Sequence, residues 1–253
     1  MELTLKDCVD NLMRVINGRN VAILLPGYSL HELIERKEEF KKFNLCTATV
    51  NDFWLIEEQF GNVDIAMCSA AECGVPTDRH IEYLDRKDDN LFVTESLSFK
   101  DQSKLDDVME KYPKKLFFFA AEQSGIYPFL KGKGARLEAP MNFLALPSFT
   151  TLIIICSIIK VPTVFLFGAD GGKLGKDLYC MPDWGKGAKI AGSLGRLLYD
   201  TSILNGGLWA KTYKQVCDLY EVEPPRIINC SEKSYYNIFE KMSYDKTWEV
   251  LND

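Results

Sequence analysis

Val21-Ala22-Ile23-Leu24-Leu25-Pro26-Gly27-Tyr28-Ser29-Leu30 is the stretch whose reading decides the fold. Five apolar residues run without alternation into Pro-Gly, and a helical pattern opens at Leu30. An unbroken apolar run that ends in a turn signal reads as a strand buried on both faces. Gly27 permits a turn that other residues resist, and it lets the backbone come close to a neighbouring group. Ser29 stands where a helix N-cap is expected. The N–H groups that open such a helix, with the dipole behind them, make a seat for phosphate. An ordinary strand–turn–helix connection with no ligand has the same pattern.

Working outward, residues 4–17 read as an amphipathic helix with Leu5, Val9, Leu12, Met13 and Ile16 on one side, ended by Gly18. A charged helix is expected over about 30–42. A second strand over 44–50 ends in Asn51-Asp52, and Phe53 opens the next helix. Residues 63–68, 91–93 and 115–120 read as the third, fourth and fifth strands. The segment 76–87 is helical and heavily charged, which reads as a solvated face, and 101–111 is another helix. A very apolar helix over 148–160 has Ser148 in the N-cap position. It leads to a sixth strand, 163–167, and then to Gly168-Ala169-Asp170-Gly171-Gly172. Helices over 188–200 and 207–220, a last strand over 226–230 and a short amphipathic helix complete the pattern. Two long segments, 121–147 and 171–187, lack periodicity and are rich in glycine or proline. They are expected to be mobile loops with a functional role.

Composition bounds the classes. The 253 residues suffice for a single nucleotide-binding domain spanning 1–253, and 47% hydrophobic content supplies a core. The net charge is −6, and no basic face dominates, so no nucleic-acid polymer is expected as a partner. Eight cysteines include no Cys-x-x-Cys pair. Cys68 and Cys73 are the only close pair, and there are only two histidines, so no metal centre is predicted. Reduced thiols and the lack of an export pattern in the first residues point to a cytoplasmic location. The most apolar stretch, 151–169, is broken by Lys160 and Pro162. It reads as a buried helix and strand, so no transmembrane segment is predicted.

Strands alternating with helices imply an α/β fold with a doubly wound, mostly parallel sheet. Such sheets bind ligands beyond the carboxyl ends of their strands, near a topological switch. Three strand ends carry suitable groups: Pro26-Gly27-Tyr28-Ser29, Asn51-Asp52 and Gly168-Ala169-Asp170-Gly171. Neither Gly-x-Gly-x-x-Gly nor Gly-x-x-x-x-Gly-Lys-Ser/Thr occurs, which disfavours dinucleotide enzymes and P-loop NTPases. Asn51 and Asp52 read either as helix caps or as a polar grip on a base, ribose or sugar. Asp170 reads as a ribose ligand, a Mg²⁺ ligand or a turn residue. Lys176 and Tyr179 could reach a phosphate. His31 and His80 read as surface residues, and no Ser-His-Asp arrangement is visible.

The order of these motifs resembles the Rossmann-like superfamily that contains the family-42 sialyltransferases. The same superfamily includes the motility-associated flagellin glycosylation factors and the archaeal 6-hydroxymethyl-dihydropterin pyrophosphokinase-like proteins. The family's opening turn, Gly-x-Gly-Pro-Ser-Leu, corresponds here to Leu25-Pro26-Gly27-Tyr28-Ser29-Leu30. Its strand-ending Asn before an aromatic helix corresponds to Asn51-Asp52-Phe53-Trp54. Its Ser before an apolar helix and its Gly-x-Asp correspond to Ser148 and Gly168-Ala169-Asp170. Its final strand and serine-rich tail correspond to Ile228-Asn229-Cys230-Ser231-Glu232-Lys233-Ser234.

The resemblance implies a Rossmann-like fold of the sialyltransferase (GT-A) kind and a transferase that uses a nucleotide-sugar donor. Ser29 would face the donor phosphate, Asn51 the nucleotide or sugar, and Gly168 and Asp170 the ribose and base, with Ser148 also at the site. Tyr179 would assist the departing phosphate. A glycan or small-molecule acceptor follows from that reading, and a homo-oligomer is compatible with it. The alternatives are a Mg²⁺-dependent pyrophosphokinase acting on a pterin-like alcohol, and a non-catalytic nucleotide-binding or scaffold protein. The chain departs from the pattern at Leu25 and Tyr28, which replace glycine and proline. It also has no histidine after His80, where the sialyltransferases carry a base.

Overall fold

The computed structural model describes residues 5–68, 78–86, 89–95, 102–119, 148–172, 180, 212–219 and 221–252. Helix α1 (Leu5–Ile16) precedes strand β1 (Val21–Leu24), which is followed by two short helices, α2 (Leu30–Glu35) and α3 (Lys37–Phe40). Then come β2 (Cys46–Val50), α4 (Phe53–Phe60), β3 (Ile65–Cys68), α5 (Asp78–Asp85), β4 (Leu91–Glu95), α6 (Gln102–Lys111) and β5 (Leu116–Phe119). After these stand α7 (Ser148–Ile158), β6 (Thr163–Phe167), α8 (Thr212–Leu219), β7 (Arg226–Asn229), β8 (Glu240–Lys241) and α9 (Tyr244–Asn252).

The strands form one sheet in the order β5-β4-β3-β2-β1-β6-β7-β8, and every pairing is parallel. The chain builds outward from β1 to β5, then returns to place β6 on the other side of β1. The topological switch therefore lies between β1 and β6, where Val21 pairs with Val164 and Leu24 with Phe167. Successive residues of the central strands enter opposite cores, as the two-residue period of a strand requires. Val21, Ile23, Val164 and Leu166 pack with α1, α7 and α8. Ala22, Leu24, Phe165 and Phe167 pack with α2 to α6 and α9. Phe167 is fully buried against Phe40, Tyr244 and Trp248. Truncating such a ring typically costs about 3–5 kcal/mol.

Several local expectations change. The helix expected over 30–42 is two short pieces meeting at Arg36. Strand β8, two residues long, had no legible pattern. α5 is not a solvated face, because His80, Tyr83 and Leu84 are buried. Charge dominates its composition, but one side of it still packs on the sheet. His80, expected at the surface, is 3% exposed, among Phe53, Trp54 and Phe92. The segments 121–147 and 188–200 lie outside the described residues, as do all of 171–187 except Gly171, Gly172 and Cys180. Among the described residues, no helix is long and apolar enough to cross a membrane.

Candidate functional site at the switch between β1 and β6

The two strand exits at the switch touch. Leu25 N–H donates to Phe167 O at 2.8 Å, and Gly27 N–H donates to Gly168 O at 3.0 Å. A Cβ on Gly27 would lie 2.1 Å from Gly168 O, and a Cβ on Gly168 would lie 2.0 Å from Leu25 O. Gly168 also has φ of +72°, a conformation that disfavours side chains. The close approach that Gly27 permits is thus to the neighbouring strand exit.

Asp170 is 2% exposed and lies directly above this crossing. Its carboxylate accepts hydrogen bonds from Ser29 N–H at 2.9 Å, from Ser29 Oγ and from Ser231 Oγ at 3.1 Å. An ionised carboxylate offers about four lone-pair sites, and these three donors take up most of them. Burial pushes the Asp170 carboxyl above its ordinary value, and the hydrogen bonds from Ser29 and Ser231 pull it down less strongly. The next amides also have partners: Leu30, His31 and Glu32 donate to the carbonyls of Gly27, Tyr28 and Ser29. The phosphate seat expected at the start of α2 is therefore occupied by the chain's own carboxylate. Ser29 stands in the N-cap position but makes no side-chain cap bond, because its hydroxyl turns to Asp170.

A third strand end, barely legible in the sequence, completes the cluster. Asn229, fully buried at the end of β7, donates from Nδ2 to Ala169 O at 3.0 Å. Ser234 Oγ donates to the same carbonyl at 2.6 Å, and Tyr235 N–H donates to Asp170 O at 2.7 Å. Tyr236 lies against Gly171, where a Cβ would approach its ring to 3.0 Å. Ser231, Ser234 and Asn229 were visible only as the polar tail of the last strand. Pro26 O accepts from Cys180 N–H at 2.8 Å, which ties Cys180 to the same turn.

A cavity of about 530 Å³ opens beside this cluster, lined by Tyr28, Ser29, Glu32, Arg36, Ser231 and Lys233 among others. Tyr28 is 39% exposed, and its ring meets His31 edge-on at 5.2 Å. Arg36 is held by Asp245 and Glu32. The buried Tyr244 closes one side and donates from its hydroxyl to Ser29 O at 3.2 Å, and burial drives its pKa up. The lining thus offers an aromatic face, carboxylates, hydroxyls and cations.

The remaining sequence candidates are placed as follows. Asn51 and Asp52 sit at the carboxyl end of β2, on the same sheet edge, but do not line the cavity. Asn51 has φ of +59° and turns the chain into α4, a conformation asparagine tolerates. Asp52 precedes α4 and makes no side-chain cap bond. Ser148 is the first residue of α7, and Phe149 packs on Tyr236 at 5.5 Å, so that helix end reaches the same edge. Lys176 and Tyr179 lie outside the described residues. Among the described residues, no group of three or more His, Cys, Asp or Glu side chains is placed to hold a metal. No protein-family model matches the chain, and no curated protein matches it.

Proposed function

We propose that this chain is a cytoplasmic transferase that takes an activated nucleotide donor, a nucleotide sugar, in the cavity beside the β1–β6 switch. One observation carries the reading. The cavity opens at the place where open parallel sheets bind ligands, and its walls suit a hydroxyl-rich ligand. Tyr28 offers a ring for a sugar or base, Glu32 and Ser231 offer hydrogen-bond partners, and Lys233 offers charge to a phosphate. The motif order shared with the sialyltransferases supports the same reading. In it, Asp170 is a positioning residue that fixes the Ser29 turn, and Tyr179 stabilises the departing phosphate. The acceptor is a glycan or a small molecule.

A Mg²⁺-dependent pyrophosphokinase fits less well. Mg²⁺ needs carboxylate lone pairs, and most of those of Asp170 are taken up by three donors. The same inward-turned carboxylate favours a second reading, a nucleotide-binding protein without transfer chemistry.

A thermal-shift screen with CMP, UDP, GDP, ATP and their sugar conjugates, with and without Mg²⁺, tests the binding. A ligand at about 100 times its dissociation constant should stabilise the fold by roughly 2.7 kcal/mol. Stabilisation by a nucleotide sugar without metal, followed by release of free nucleotide, supports the transferase. Stabilisation without release supports the binding protein. Silence with every nucleotide removes both readings.

A further inference from the structure

Away from the nucleotide cavity, on the same edge of the sheet, β3 ends at Cys68. Its Sγ lies 3.2 Å from His80 Nε2 and 3.9 Å from the carbonyl oxygen of Asn51. Cys68 and His80 are 2% and 3% exposed. The rings of Phe53, Trp54 and Phe92 stand around the imidazole at 5.8, 6.4 and 5.2 Å. Thr94 of β4 is opposite Cys68 in register. Two residues beyond Phe92, it leaves the same face of the sheet as Phe92 and Cys68. Thr94 is fully buried, and among the described residues its hydroxyl has no hydrogen-bond partner. Buried hydroxyls are almost always satisfied, so the packing of the described residues does not account for this one. An oxygen of a bound group beside Cys68 would.

We propose that Cys68, His80 and Thr94 form a second reactive site, which takes up an acyl group as a thioester. A thiol in contact with an imidazole is the arrangement that activates cysteine as a nucleophile. Cys68 Sγ adds to the acyl carbon while its proton passes to His80 Nε2. Thr94 Oγ1–H donates to the oxygen on which negative charge develops, satisfying the orphaned hydroxyl. The bond to the leaving alcohol or thiol then breaks, and the leaving group departs with the proton from His80. No electrons change hands. The surrounding aromatic rings keep water away, which preserves the thioester.

The full chain treated with p-nitrophenyl acetate, then mapped by peptide mass spectrometry, tests this. The native protein should carry an acetyl group on Cys68, formed at least about tenfold faster than on Cys46 or Cys156, and hydroxylamine should remove it. His80→Gln should slow acetylation by about 100-fold, the usual loss of a general base. Thr94→Val matches the shape of threonine and removes only the orphaned hydroxyl. It should slow acetylation by about 100-fold, as loss of an oxyanion donor does, without lowering the melting temperature. This variant keeps the test decisive even if His80→Gln folds poorly. The proposal is overturned if Cys68 reacts no faster than Cys46 and Cys156, or if Thr94→Val is acetylated at the native rate.

Discussion

The N–H and the hydroxyl of Ser29 both donate to the carboxylate of Asp170, 141 residues further along the chain. This contact locks the turn after β1 to the turn after β6 and closes the switch point. Ser231, from the segment after β7, joins the same carboxylate at 3.1 Å. Three strand ends thus converge on one buried charge, and the cavity opens at its side.

Asp170→Asn should lower stability. The amide keeps the size of the side chain but turns a donor toward groups that are donors themselves. Hydrogen bonds to a charged group are worth about 1.5–3 kcal/mol each. Urea denaturation at neutral pH should show a loss of at least about 2 kcal/mol. A variant with parental stability and weakened nucleotide-sugar binding would instead make Asp170 a ligand group.

The same residue has a pH signature. Burial holds its folded pKa above 3.8 despite the opposing hydrogen bonds. The folded chain then binds this proton more tightly than the unfolded chain does. Stability from this group is fully present below the unfolded value and is lost as pH rises through the raised folded value. Asp170→Asn lacks that titration. The stability gap between parent and variant, followed across the acid range, should be widest at the lowest pH and narrow as pH rises. A gap that widens with pH would mean that the three donors outweigh burial.

Gly27 and Gly168 should not accept alanine. Each Cβ would fall within about 2 Å of a backbone oxygen, and a strand exit cannot move aside as a flexible side chain can. Overpacking alone costs about 1–3 kcal/mol, and Gly168 adds the strain of its positive φ. Gly18→Ala is the control, with φ of +73° and nothing within 4 Å of its Cβ. It should lose only about 1 kcal/mol, the conformational cost alone. Equal losses at Gly18 and Gly168 in thermal unfolding would contradict the close crossing.

Tyr28→Ala and Lys233→Ala probe the cavity without disturbing the core. Both side chains are exposed, so stability should stay within about 0.5 kcal/mol of the parent. Nucleotide-sugar affinity by calorimetry should fall by about 1–2 kcal/mol, a factor of about 5–30. Unchanged affinity in both variants would move the ligand out of this cavity.

Much of this fold is local information. The apolar runs at Val21–Leu24 and Thr163–Phe167 are long enough, and bounded closely enough by Pro26 and Gly168, to read as doubly buried strands. Alternating strand and helix patterns then imply a parallel sheet, because parallel neighbours need a crossover. The positions of Pro26 to Ser29, of Asn51 and of Gly168 to Asp170 at the ends of their strands follow from the same patterns. Tertiary structure alone decided which strand returns beside β1, and with it the neighbours of these residues. The hydroxyl of Ser29 reads as a helix cap until Asp170 arrives from 141 residues away as a stronger, charged acceptor. Gly27 reads as room for a ligand until the carbonyl of Gly168 fills that room. His80 reads as a surface residue because its sequence neighbours are charged, yet it faces the sheet because one side of α5 must cover Phe92 and Phe53. Each of these depends on contacts between segments far apart in the chain, which local periodicity does not encode.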